Sequence, residues 1–174
     1  LIGADVTNGK QDVVLVSNGG KAVWFDENDV RSMGRNARGV RGMKLPSDNQ
    51  VLSLLIASSE GDSVLVATEN GYGKRTVLSE FRKSGRGTQG VKAIQVSERN
   101  GIVVAAKLVH DNDEIMLITT GGVLIRTKVN EIRELGRATQ GVTLINLSDE
   151  EKLSGLEKIV ESENLEADQD ELPI

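Results

Sequence analysis

With 174 residues the chain has room for one well-packed domain but not for two large lobes. It holds no cysteine and only 2% aromatic residues, which excludes a disulfide framework, thiolate metal ligation and cysteine nucleophiles, and leaves too few rings for a base-stacking platform. The net charge of -5 is a composite: residues 1–147 carry 19 Lys and Arg against 16 Asp and Glu, whereas residues 148–174 carry 2 against 10, so a mildly basic body precedes an acidic end and a polyanionic partner is not excluded.

Residues 1–11 read as the end of an earlier unit, with Leu1 to Val6 expected to be its last strand, and the start at Leu1 suggests a piece of a longer chain. Val13 to Val16, the turn Asn18-Gly19-Gly20 and Ala22 to Phe25 make a hairpin. Val40 to Leu45 and Val51 to Ala57 then flank the turn Pro46 to Asn49, giving four strands in residues 12–61. The same alternation gives Val64 to Ala67, Gly73 to Val77, Val91 to Val96 and Ile102 to Val109 in residues 62–112, then Glu114 to Ile118, Gly122 to Thr127, Val142 to Leu147 and Leu153 to Val160 in residues 113–160. The acid-rich segment 161–174 cannot bury enough apolar surface to fold alone and is expected to be disordered. No apolar run approaches the roughly 18 residues of a membrane helix and no signal-peptide layout is present, so a soluble, cytoplasmic protein is expected.

A rigid period of 51 residues underlies these elements. Asp29-Val30-Arg31-Ser32-Met33-Gly34-Arg35 with Gly39-Val40 recurs as Glu80 to Arg86 with Gly90-Val91, and as Glu131 to Arg137 with Gly141-Val142. Four short strands in each period predict an all-β, propeller-like fold with about three blades. Arg31, Arg82 and Arg133, and Arg35, Arg86 and Arg137, then form two rows of positive charge suited to a duplex phosphate backbone, which carries about one charge per 1.7 Å. Arg38, Arg41, Lys44, Lys74, Arg75, Lys83, Lys92, Arg126 and Lys128 cluster near the rows and complete the candidate DNA-binding set. The competing roles are ion pairs with the acid two residues earlier (Asp29, Glu80, Glu131) or hydrogen bonds to loop carbonyls. Trp24, which occupies the position of Arg75 and Arg126, is expected to pack.

No catalytic or metal-binding constellation assembles. Gly85 to Gly90 spells a dinucleotide-type glycine pattern but precedes a strand rather than a helix, so it reads as a turn, and Gly73-Lys74 lacks the remainder of a P-loop. His110 stands alone in a polar turn, and Tyr72 has no orienting base.

Val30 to Arg35, Gly39 to Leu45, Asn70 to Thr76, Ser97 to Gly101 and Gly136 to Val142, followed by an acidic tail, strongly resemble the C-terminal domain family of the bacterial DNA gyrase A subunit. The resemblance runs through about residues 1–160 and implies a β-pinwheel that wraps duplex DNA on a basic rim, this chain matching its second half. The family's hallmark box, Gln-Arg-Arg-Gly-Gly-Lys-Gly, is absent; Arg38-Gly39-Val40-Arg41-Gly42 is a degenerate relative. What the resemblance implies is a non-catalytic module supporting ATP-dependent negative supercoiling by a type II topoisomerase, in the bacterial cytoplasm with the chromosome. Its partners would be double-stranded DNA, the remainder of the gyrase A subunit, with the gyrase B subunit completing an A2B2 complex; ATP and Mg2+ would serve the complete enzyme, with no cofactor in this segment. The C-terminal domain of the topoisomerase IV A subunit, or else a protein-binding propeller, is the alternative. The family's active-site tyrosine lies in the N-terminal part of its parent chain, so Tyr72 does not inherit that role.

Overall fold

Alternating apolar side chains split by tight glycine turns produce short strands, each able to bury both faces only when sheets stack on either side. The computed structural model describes residues 1–58 and 61–160, and these hold strands and short 3-10 turns with no α-helix. The strands are β1 (Asp12–Ser17), β2 (Lys21–Asp26), β3 (Val51–Ala57), β4 (Ser63–Thr68), β5 (Tyr72–Val77), β6 (Val91–Lys92), β7 (Val103–Val109), β8 (Glu114–Thr119), β9 (Leu124–Lys128), β10 (Val142–Thr143) and β11 (Leu153–Ile159). A 3-10 turn follows the second strand of each repeat, at Glu27–Asp29, Leu78–Glu80 and Val129–Glu131.

Three antiparallel sheets result, in the orders β3-β1-β2-β6, β10-β5-β4-β7 and β11-β8-β9. The four strands of one sheet are therefore not the four runs of one repeat. β6, from the second repeat, pairs with β2 of the first through Lys21 opposite Lys92 and Ala22 opposite Val91. β10, from the third, pairs with β5 of the second through Tyr72 opposite Thr143 and Gly73 opposite Val142. The expected six-residue strands Val91 to Val96 and Val142 to Leu147 are cut to two residues because the chain then dives into the core. The amides of Ala93 and Ile94 both donate to the Gly20 carbonyl, at 2.8 and 3.2 Å, and Leu144 and Ile145 repeat this at Gly71. Val40 to Leu45 finds no such sheet among the described residues and forms no strand. Leu1 to Val6 is likewise not a strand; it lies in extended company with β3, where Ile2 and Gly3 line one cavity with Leu52 to Leu55, Val104 to Lys107 and Ser154 to Glu157.

The last strands of successive repeats, β3, β7 and β11, pack beside one another, which leaves the opposite sheet edges, carrying β6 and β10, pointing outward. Between the first and second sheets lie Val14, Val16 and Leu55 against Val64, Val66 and Ile94. Between the second and third lie Leu65, Ala67 and Val109 against Ile115, Leu117 and Leu156. β4 sends alternate residues into the two layers and is buried along its whole length. Trimming Leu65, which is fully buried, to alanine is expected to cost about 2–5 kcal/mol, read as a lowered urea midpoint at constant denaturant slope.

Candidate nucleic-acid interface

Strand exchange positions the arginine-bearing loops. After each 3-10 turn the chain crosses to the preceding sheet and runs along its outer strand before pairing with it. Ser84 donates its amide to the Trp24 carbonyl at 2.9 Å, and Leu135 donates to Arg75 at 2.9 Å. The crossing ends at Gly90 and Gly141, where backbone passes against backbone. Both have positive φ, +72° and +82°, and a Cβ would stand 2.3 Å from the Ala22 carbonyl oxygen or 2.6 Å from that of Gly73. This explains why the repeat insists on glycine there. Gly39, the same position in the first repeat, shares the positive φ of +80° but has nothing within 4 Å of that point.

Within this frame the basic residues divide into two groups. Arg31, Arg82 and Arg133 are exposed, and their side chains make no hydrogen bond or ion pair with other described residues. The same holds for Arg35, Arg38, Arg41, Lys44 and Lys128. None of the arginines pairs with the acid two positions before it.

The second group is committed to the protein. Arg86 donates to the carbonyls of Asp29 at 2.8 Å and Arg41 at 3.3 Å, and Arg137 reaches the corresponding carbonyl, that of Lys92, at 3.2 Å. Lys83 bridges Asp12 and Asp26 at 2.6 and 3.4 Å, and its hydrogen bond to Asp12 raises its pKa above the ordinary value. Lys92 bonds the Gln95 side chain at 2.5 Å. Lys74 is wholly buried, donates to the carbonyls of Gly136 and Arg137, and offers nothing to an incoming phosphate, so it leaves the contact set.

Arg75, Arg126 and Trp24 share one repeat position and one kind of structural task. Trp24 Nε1 donates to Asp12 at 2.9 Å, with its ring packed on the first core layer. Arg126 pairs with Glu114, which stands where Asp12 stands in the first repeat. The second repeat has Ser63 at that place, and Arg75 turns instead to Asp111, with Nε on the Ile132 carbonyl at 2.8 Å. Its side chain is only 11% exposed.

Lys21 lies outside the set that the repeat pattern picks out. It faces Lys92 across the β2–β6 pairing, and two like charges in register on a sheet edge repel unless an anion sits between them. No sequence pattern links positions 21 and 92; the strand exchange does.

Of the remaining singled-out residues, His110 lies against Asp62 at 2.8 Å. Tyr72 opens β5 with the Arg99 guanidinium 4.9 Å above its ring, and hydrogen bonding to Arg99 lowers its pKa. Among the described residues no group of three or more His, Cys, Asp or Glu converges as metal ligands. No helix among them is long and apolar enough to cross a membrane. The acidic segment 161–174 lies outside the described residues.

Sheets closed by a strand from the next repeat, with recurring arginine loops on their outer edge, define a β-pinwheel, a repeat propeller with a cationic rim. A family model described as "DNA gyrase C-terminal domain, beta-propeller" matches residues 11–58, 62–110 and 113–159, and the chain belongs to that family. The DNA gyrase A subunit of Salmonella typhimurium is 52% identical over 161 residues, covering 92% of this chain and 18% of that protein. That of Escherichia coli K12 is 48% identical with the same coverage. Among solved structures, the C-terminal domain of DNA topoisomerase IV superposes with a TM-score of 0.83 at 30% identity, over 88% of this chain and 48% of that one. The DNA gyrase A C-terminal domain superposes with a TM-score of 0.80 at 30% identity, over 87% and 51%. The chain thus spans less than a fifth of these curated relatives and about half of the solved domains.

Proposed function

We propose that this chain is a DNA-binding and DNA-wrapping module of a gyrase A subunit. The carrying observation is that Arg31, Arg82 and Arg133 stand at one position of three successive repeats, exposed and without a protein partner among the described residues. Successive blades turn that position about the propeller axis, so equivalent guanidinium groups follow a curve. A duplex that satisfies all of them must bend, and its counterions are released as it binds. Contacts of this kind fix the path of the phosphate backbone without reading sequence. Relatives near 50% identity favour gyrase over topoisomerase IV.

The reading gives this chain no bond-breaking step. Strand cleavage belongs to the remainder of the gyrase A subunit, while ATP hydrolysis with Mg2+ belongs to the gyrase B subunit, in an A2B2 enzyme working on the chromosome in the cytoplasm. The test is duplex binding across a salt series, followed by ligation of nicked circular DNA in the presence of the chain. Affinity is expected to fall steeply with salt, at about 0.9 log unit per log salt for each phosphate contact, and the ligated circles to show a shifted linking number. Salt-insensitive binding, or none, would overturn the proposal.

A further inference from the structure

Lys74 is the bulkiest fully buried side chain among the described residues, and burying an ammonium group is costly unless its donors are used. Its Nζ donates to the carbonyl of Gly136 at 2.5 Å and to that of Arg137 at 2.6 Å, across the junction between the second and third repeats. Its neighbours on β5 continue the grip: Arg75 holds the Ile132 carbonyl and the Thr76 hydroxyl donates to the Leu135 carbonyl at 2.7 Å. The corresponding residues of the first repeat, Val23, Trp24 and Phe25, offer the 81–86 loop no such side-chain donors. The 132–137 loop is therefore clasped from below by three consecutive side chains, and it is the loop that carries Arg133 and Arg137.

We infer that Lys74 is a positioning residue for DNA binding: by clasping the Gly136 and Arg137 carbonyls it fixes the loop that presents Arg133, without touching DNA itself. The inference rests on the DNA-binding reading given above. The charges facing the ammonium are Glu80, from the 3-10 turn after its own strand, and Arg137, from the loop; across the sheet β4 presents Val66. Burial lowers the Lys74 pKa from the ordinary 10.5 to about 8. The unfolded chain then binds the proton more tightly than the folded one, so between about pH 8 and 10.5 this group makes global stability rise with pH. The clasp itself weakens over the same range, because charge-assisted hydrogen bonds are the stronger kind. Duplex phosphates beside the loop favour the ammonium form, so binding takes up a proton. Loss of affinity with gain of stability is a combination that unfolding cannot mimic.

The experiment measures affinity for a random-sequence duplex from pH 7 to 9.5 at fixed salt, alongside thermal unfolding, for the unmutated chain, Lys74→Met and Lys74→Gln. The unmutated chain should lose about three- to tenfold in affinity while its Tm holds or rises, the ceiling being one proton, a factor of ten per pH unit. Lys74→Met should bind weakly at pH 7 and show no inflection, with faster amide exchange over residues 133–139. Tyr72, whose pKa is lowered by hydrogen bonding to Arg99, persists in that variant, so an inflection surviving there overturns the inference. A flat profile in the unmutated chain overturns it too, and needs no variant to fold. Absence of duplex binding at pH 7 in the unmutated chain instead overturns the DNA-binding reading on which the inference stands.

Discussion

Alanine at Arg31, Arg82 and Arg133 together is expected to weaken duplex binding by roughly two to three orders of magnitude at 0.1 M salt, and to flatten the plot of log affinity against log salt by about 2.7. The figure follows from three contacts of about 0.9 log unit each. The effect should be the same on unrelated DNA sequences, because backbone contacts carry no base information. The matched control is Lys83→Ala with Arg126→Ala. Both charges are already answered, by Asp12 and Asp26 for Lys83 and by Glu114 for Arg126, so their loss should change affinity by at most a few-fold. If the control pair weakens binding as much as the three exposed arginines do, total charge and not its placement governs the interface. Filter binding or fluorescence anisotropy at four salt concentrations separates the two cases.

The second large effect is on assembly of the sheets. Gly90→Ala puts a methyl group 2.3 Å from the Ala22 carbonyl oxygen in a backbone conformation that already disfavours a side chain. Strain and overpacking each cost about 1–3 kcal/mol, so a loss of about 3–5 kcal/mol is expected, enough to release β6 from β2. Gly39→Ala shares the positive φ but meets open space, and should cost only about 1 kcal/mol. Urea unfolding of the two variants side by side isolates the contact from the conformation. Equal losses would mean that the dihedral angle alone accounts for the glycine and that the close approach is inconsequential.

The hairpins are legible in the sequence because their partners are neighbours along the chain. Val13 to Val16 and Ala22 to Phe25 alternate on either side of Asn18-Gly19-Gly20, and β1 and β2 pair there with Val14 opposite Trp24. The 51-residue period makes the propeller legible too, since one unit copied three times must solve the same packing problem each time. The ownership of the third strand is not legible. Val91 resembles any edge-strand residue; that it closes the sheet of the previous repeat is settled by Ala93 and Ile94 sharing the Gly20 carbonyl, a long-range fact. The same blind spot hides Lys21, whose meeting with Lys92 depends on that exchange. Lys74 does carry a signal: its repeat equivalents are Val23 and Ile125, so a lysine has entered an otherwise apolar column. A cation in such a column is a candidate for burial rather than for the surface. Arg75 and Arg126 mislead for a related reason. They and Trp24 answer acids of the sheet and its turns, a role visible only once Asp12, Glu114 and Asp111 are placed beside them.

Because the first two sheets each borrow their outer strand from the unit that follows, the repeats are hemmed together like overlapping shingles. Under the proposed DNA-wrapping role, tension from a bent duplex pulling on the 81–90 or 132–141 loop would pass straight into the neighbouring sheet, through Ser84 on Trp24 and Leu135 on Arg75. A linker between free-standing blades would stretch under that load; an overlapped joint shares it. The spacing of the exposed arginines is therefore set by inter-unit geometry, and under the proposed DNA-wrapping role a path set by one unit would be handed to the next.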